Sequence, residues 1–166
     1  EYFGPAFPNE DRSAELPGAM GAYVSEVMFW LYRPLTFMLW GGVFERFPRL
    51  KAMVVEGGTM FMVPSWLMLL DHNYTDIQFS AKLGDFRSHL SMAPSEYFAR
   101  NCGIGASCVP RRDLDMRDQI GLKQIMWGSD FPHPEGTWPN TAQYYQDTFK
   151  GFDVDDGRQI LGGNAI

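Results

Sequence analysis

Three histidines, two cysteines and no basic run longer than Arg111-Arg112 leave this 166-residue sequence poor in residues that announce a function. The formal net charge is −6. Nucleic acid needs a basic footprint and an anionic membrane surface needs a polybasic segment, so neither is an expected partner. His-x-His, His-Glu-x-x-His and Cys-x-x-Cys are all missing, so no short motif completes a metal site. Gly57-Gly58 lacks the rest of a dinucleotide fingerprint or phosphate loop. Ser129 lacks the Gly-x-Ser-x-Gly elbow of an activated nucleophile. The most apolar stretch, Tyr23 to Trp40, is too broken by Glu26, Arg33 and Pro34 to span a membrane. Glu1-Tyr2-Phe3-Gly4-Pro5 has neither the basic nor the apolar region of a signal peptide.

What is present describes a globular chain. Hydrophobic residues make up 45% and charged residues 20%, and Phe 13, Tyr 7 and Trp 5 supply large areas for burial. Cys102 and Cys108 read as small buried thiols in a reducing, cytoplasmic compartment. On one strand they would stand roughly 20 Å apart, beyond disulfide reach.

Residues 1–18 read as loop. Met20, Tyr23, Val24, Val27, Met28 and Leu31 follow helical spacing up to Pro34, which is expected to stop that helix. A second helix is expected from about Leu35 to Phe47, with Gly41-Gly42 inside it. Leu50 to Val55 reads as a buried strand ending on Glu56 and turning through Gly57-Gly58. An apolar helix with Pro64 near its start follows, carrying Val63, Trp66, Leu67 and Leu70 on one face. Residues 75–92 form a mixed connection, in which His89, like His72 before it, is expected to be solvated or locally satisfied. A short helix from Glu96 to Arg100 leads into a strand from Asn101 to Cys108. Pro110 opens a helix closed by Gly121, and Leu122 to Trp127 is the third strand, ending on Gly128-Ser129-Asp130. After the Pro-rich loop from Phe131 to Pro139, Asn140 caps a helix to about Phe149 and Asp153 caps one to Leu161. Asn164 looks like the cap of a further helix.

Alternation of this kind implies right-handed βαβ units on a parallel sheet. Three such units fit three-eighths of a (β/α)8 barrel, which takes about 250 residues. In parallel α/β folds, function sits past the carboxyl ends of the strands. The first strand delivers Glu56 there and the third delivers Asp130. An anion at the mouth of an apolar strand is costly unless it is paired or metal-bound. Each is therefore a candidate metal ligand or general base, against the plainer role of helix cap or Arg partner. His133 follows Asp130 by three residues on a proline-stiffened loop. Two such groups do not make a catalytic metal site, which needs three protein ligands. The methionines between residues 53 and 68 read as core.

The runs Gly42-Val43-Phe44-Glu45-Arg46-Phe47-Pro48-Arg49-Leu50-Lys51, Val55-Glu56-Gly57-Gly58, Trp127-Gly128-Ser129-Asp130-Phe131-Pro132-His133-Pro134-Glu135-Gly136-Thr137-Trp138-Pro139 and Ile160-Leu161-Gly162-Gly163-Asn164-Ala165 lie in that order. Together they resemble the amidohydrolase-related family, which includes the aminocarboxymuconate semialdehyde decarboxylase-like enzymes, over about residues 35–166. The resemblance implies a distorted TIM barrel with a divalent metal, expected to be zinc, at its C-terminal face. It implies that residues 1–166 form a partial barrel domain, strands six to eight, truncated at both ends. Asp130 would be the metal ligand ending the eighth strand, with Glu56 and His133 as catalytic candidates. The remaining ligands, a His-x-His and a lone His, would lie before Glu1. The decarboxylase subgroup carries a His where this chain has Glu56 and an Arg where it has Leu69, which implies a different substrate.

The expectation is thus a fragment of a metal-dependent hydrolase or nonoxidative decarboxylase acting on a small organic molecule, with homo-oligomerisation left open. The isolated fragment is expected to be inactive and to aggregate through open strand edges. A noncatalytic α/β binding or assembly module is the alternative, because the aromatic helices at 20–47 expose area that needs a partner. A small open α/β domain with phosphate chemistry is a weaker third, lacking any phosphate loop.

Overall fold

The computed structural model describes residues 18–56, 60–76 and 82–166. The loop expected over residues 1–17 and the Gly57-Gly58 turn lie outside the described residues, as do the side chains of Met20, Tyr23, Val24, Val27 and Met28 and part of the 75–92 connection.

Helix α1 runs unbroken from Ala19 to Trp40, with Pro34 inside it. The expected stop at Pro34 and the second helix from Leu35 to Phe47 are therefore corrected. Proline removes one helical hydrogen bond. Pro34 points to solvent, and the helix buries Tyr32, Leu35 and Leu39 on both sides of it. That continuous apolar stripe outweighs the missing bond. The true stop is Gly41-Gly42. Gly42 adopts φ 66, and the Trp40 carbonyl accepts from His89 Nε2 at 2.8 Å; His89 is exposed and is satisfied by a carbonyl distant in the chain instead of a local one. A single turn, α2 (Val43–Arg46), buries Phe44.

Strand β1 spans Ala52–Val55 and is followed by a 3-10 turn at Met60–Met62 and helix α3 (Val63–Thr75). Met60 is buried, but Met53 and Met68 are exposed, so the methionines are only partly core. Helix α4 (Pro94–Asn101) leads into strand β2 (Cys102–Ser107). The helix expected after Pro110 is two short ones, α5 (Arg111–Leu114) and α6 (Arg117–Ile120). The break falls where Met116 N bonds to Asp113 O, three residues back rather than four. Leu122–Gln124 is a 3-10 turn, so strand β3 is Ile125–Gly128, shorter than expected. Helices α7 (Thr141–Phe149) and α8 (Val154–Leu161) complete the order. Asp153 caps α8 as expected, accepting from Asp155 N and Asp156 N. Asn140 precedes α7 without a side-chain cap bond. Asn164 lies in a 3-10 turn, Gly163–Ala165, and its amide donates to Leu122 O and Ile125 O, holding this turn to the start of β3.

The strands form one parallel sheet in the order β1-β2-β3. Register aligns Val54, Ile104 and Ile125 on one face, where they meet Leu39, Phe44, Leu67, Phe98, Leu114 and Ile160 from the helices. The opposite face carries exposed Met53 and Val55 together with Gly103 and Gly105. Among the described residues the helices cover one face only, which is the pattern of a barrel wall and not of a doubly wound sheet. No helix among the described residues is long and apolar enough to cross a membrane.

Two polar contacts fasten this wall. Asn101 is buried and donates to Pro48 O at 2.9 Å and Leu50 O at 2.7 Å, tying the entry of β1 to the entry of β2. Glu45 accepts from the hydroxyl of Tyr97, and from Ser91 Oγ at 2.9 Å. These bonds, Tyr97 first, hold its carboxyl below the ordinary 4.5. Asn101→Ala is expected to lower the unfolding free energy by about 1–3 kcal/mol, because it removes two hydrogen bonds made by a buried side chain. Urea unfolding measures it. A depressed carboxyl stabilises the fold above its unfolded value and loses that contribution as pH falls through the lowered one. Acid unfolding of Glu45→Gln should therefore depend less on pH below the ordinary 4.5 than that of the wild type.

Candidate functional site at the carboxyl ends of the strands

Each strand leaves the sheet near a non-glycine residue in the left-handed region. These are Glu56 (φ 60) after β1, Cys108 (φ 49) after β2 and Asp130 (φ 60) after β3. Such residues are uncommon and turn the chain sharply, which keeps a side chain at the rim instead of along the strand. The strand-end rule had selected Glu56 and Asp130. It applies equally to Cys108, which is half-buried at the rim and not a buried core thiol.

Asp130 and His133 are brought together. His133 Nδ1 lies 3.5 Å from Asp130 Oδ2, with the Asp130 side chain 22% exposed and that of His133 58%. The loop between them is stitched by its own backbone. His133 N donates to Asp130 O at 2.8 Å, Gly136 N to His133 O at 2.9 Å and Thr137 N to Ser129 O at 3.0 Å. Gly136 is enclosed by these carbonyls, and a Cβ there would sit 2.8 Å from Ser129 O and 2.9 Å from Asp130 O. The loop thus holds both candidate groups against a fixed frame. Phe131 and Trp138 pack edge to face at 5.7 Å and stand exposed on the same loop, each before a cis proline.

Cys108 belongs to this frame. Its Sγ lies 3.9 Å from Ser129 O and 3.8 Å from Glu135 O. Burial, and then the charge of Asp130, pushes the thiol up, so it stays protonated and serves as a weak donor to the loop. Its carbonyl accepts from Tyr144 Oη at 2.5 Å, tying α7 to the same rim. Asp113, buried on α5, accepts from the backbone of Met60 and Phe61 and so joins the segments that follow β1 and β2. Its carboxyl is raised, burial being the main cause and Arg112 opposing it.

Glu56 is not part of the pair. Val55 is level with Gly105, so Glu56 falls level with Ala106 and Trp127, three residues short of Asp130. It also stands two strands away, about 10 Å across the sheet. Its side chain is exposed at the same rim. His72 is 64% exposed and lies 3.8 Å from Asp76 on the flank of α3, away from the strand ends. Both cysteines are free. Among the described residues no group of three His, Cys, Asp or Glu side chains could hold a metal ion. Asp130 and His133 supply fitting donor chemistry, but they are an incomplete ligand set.

A family model described as amidohydrolase matches residues 28–166. Among solved structures, the chain is similar to a 5-carboxyvanillate decarboxylase from Sphingomonas paucimobilis, at 30% identity and TM-score 0.61, over 77% of this chain and 36% of that one. It is also similar to an amidohydrolase from Mycobacterium avium subsp. paratuberculosis K-10, at 27% identity and TM-score 0.60, over 77% of this chain and 30% of that one. A dihydroxybenzoic acid decarboxylase from Polaromonas sp. JS666, with bound manganese and the inhibitor 2-nitroresorcinol, shares the fold at 20% identity and TM-score 0.61. That match covers 95% of this chain and 46% of that one, so the chain spans less than half of each of these structures.

The enclosed position of Gly136 gives a direct check on the frame. Gly136→Ala drives a methyl group into backbone oxygens and is expected to cost about 1–3 kcal/mol. Thermal unfolding checks the cost, and a changed His133 imidazole resonance would show the displaced loop.

Proposed function

The chain belongs to the amidohydrolase family, and from that premise we propose that it supplies one side of the active site of a metal-dependent hydrolase or nonoxidative decarboxylase. The substrate class is a small organic molecule. The observation that carries the reading is Asp130, held at the carboxyl end of β3 with His133 Nδ1 3.5 Å from its carboxylate. We assign Asp130 as a metal ligand, His133 as a residue facing the substrate, and Glu56 as an acid/base group or a partner to one.

A bound divalent metal would polarise the substrate and lower the pKa of a bound water. Its other ligands come from residues other than the described ones. Zinc is the metal expected from the family resemblance. The manganese of the Polaromonas protein is a second candidate. The protein's own contribution is positional. Backbone bonds within the loop from Ser129 to Thr137 hold the main chain at Asp130, and Phe131 and Trp138 give an exposed apolar flank on the same loop. The exposed Glu56 carboxylate can hold or take up a proton on the side of the rim away from Asp130.

The test is on the complete protein. It should copurify with about one divalent metal per active site, lose activity to a chelator and regain it on adding metal back. Asp130→Asn should lower metal content and cut kcat/KM by about a hundredfold or more. Glu56→Gln and His133→Asn should retain metal but lose rate, with a shifted pH profile for Glu56→Gln. Metal-free protein whose activity is unchanged by chelator and by Asp130→Asn would sink the assignment.

A further inference from the structure

Several donors converge on one carbonyl, that of Ser129. It accepts from Thr137 N at 3.0 Å, from Thr137 Oγ1 at 3.3 Å and, weakly, from Cys108 Sγ at 3.9 Å. The same carbonyl shares a planar peptide unit with the amide of Asp130. These bonds therefore hold the plane that enters Asp130. His133 N donates to Asp130 O at 2.8 Å and holds the plane that leaves it. Between the two planes lie only the φ and ψ of Asp130, and its φ is 60. A residue with a side chain adopts that value at a cost in free energy, so it persists only where its surroundings enforce it. A return to negative φ would re-aim the Cα–Cβ bond and swing the carboxylate away from His133.

The enforcing groups lead outward to one face of α7. The Thr137 side chain is buried and carries a single hydroxyl proton. A carbonyl only accepts, so that proton goes to Ser129 O, and Thr141 Oγ1, 2.9 Å away, donates to Thr137 Oγ1. Tyr144 Oη donates to Cys108 O at 2.5 Å. Thr141 and Tyr144 are three residues apart and stand side by side on the helix. Cys108 is itself held at φ 49, with its N–H on Gly128 O at 3.0 Å. Two routes thus run from α7 to the Ser129 carbonyl, one through Thr137 and one through Cys108.

We propose that Thr137 and Tyr144 are positioning residues for the Asp130 carboxylate, acting through the Ser129 carbonyl, and that they thereby set the affinity of the site for its metal. Their effect reaches the metal only through Asp130, so it rests on the assignment of that residue as a ligand. Neither hydroxyl carries charge to the site. Each holds backbone, and a ligand held in its bound geometry has less freedom to lose on binding.

Competition between zinc ion and a chelating dye, on the complete protein stripped of metal, measures the dissociation constant. Amide hydrogen exchange of the same metal-free protein reads the loop without metal or activity. Thr137→Val keeps the shape of the side chain and removes its hydroxyl. It should weaken zinc binding about tenfold and speed exchange of the His133 and Thr137 amides. Thr137→Ser keeps the hydroxyl and should stay within about threefold of wild type. Tyr144→Phe should weaken zinc binding by about threefold or more. Asn101→Ala destabilises the opposite ends of the strands and should leave zinc binding within about twofold, which separates positioning from general stability. Zinc binding unchanged in Thr137→Val, with or without faster amide exchange, would overturn the proposal. So would equal weakening by Thr137→Ser or by Asn101→Ala. If Asp130→Asn binds zinc like the wild type, the ligand assignment fails and this proposal falls with it. If Asp130→Asn loses zinc and Thr137→Val does not, only this proposal falls.

Discussion

Burial of one face of the parallel sheet against a single layer of helices is the contact on which the rest of the structure depends. Val54, Ile104 and Ile125 stand in register across three strands and meet side chains from α1, α2, α3, α4, α5 and α8. Register is tightly specified in such a sheet, because a slip of one residue would turn the whole apolar set to the other face. The fixed register also fixes the rim. All three strands end on the same side of the sheet, and Glu56, Cys108 and Asp130 turn the chain outward there through left-handed backbone. The polar fasteners act at the opposite ends, where Asn101 and Asn164 hold the strand entries.

The two faces of the sheet differ in composition for a physical reason. The helical face is branched and bulky. The other carries Gly103 and Gly105 opposite Met53 and Met126, and a Cβ on Gly103 would sit 2.6 Å from Met126 Cε. Parallel strands are ordinarily buried on both faces. A sheet covered by helices on one side and floored with glycine and methionine on the other is a barrel wall seen from within, which agrees with the solved structures that share the fold. The site inherits its rigidity from this wall, because Ser129 and Cys108 are continuous with β3 and β2.

Much of this was legible in the residues. The alternation of apolar strands and amphipathic helices carried the α/β class, and the strand-end rule selected Asp130. The cap on Asp153 was readable because a short carboxylate before an acidic first turn has one favourable use. Other elements were not readable. Pro34 is a local helix breaker by propensity, yet α1 continues through it because Tyr32, Leu35 and Leu39 are paid for by the core. Leu122 to Trp127 reads as one strand, yet Leu122–Gln124 forms a 3-10 turn where Gly121 at φ 103 redirects the chain. The amide of Asn164 reaches two carbonyls at the start of β3, about forty residues earlier, a contact that no local pattern shows.

The order of strands and helices, the acidic residues at the strand mouths and the family motifs were determined by the sequence itself, because each rests on residues near one another in the chain. The meeting of Asp130 with His133 was foreshadowed by their spacing, but its frame was decided only in three dimensions. Cys108 lies 21 residues before Ser129 and reaches its carbonyl only because β2 and β3 pair in one register. The separation of Glu56 from that pair has the same origin. Strand order sets it two strands away, and no local pattern in the chain could have shown that distance.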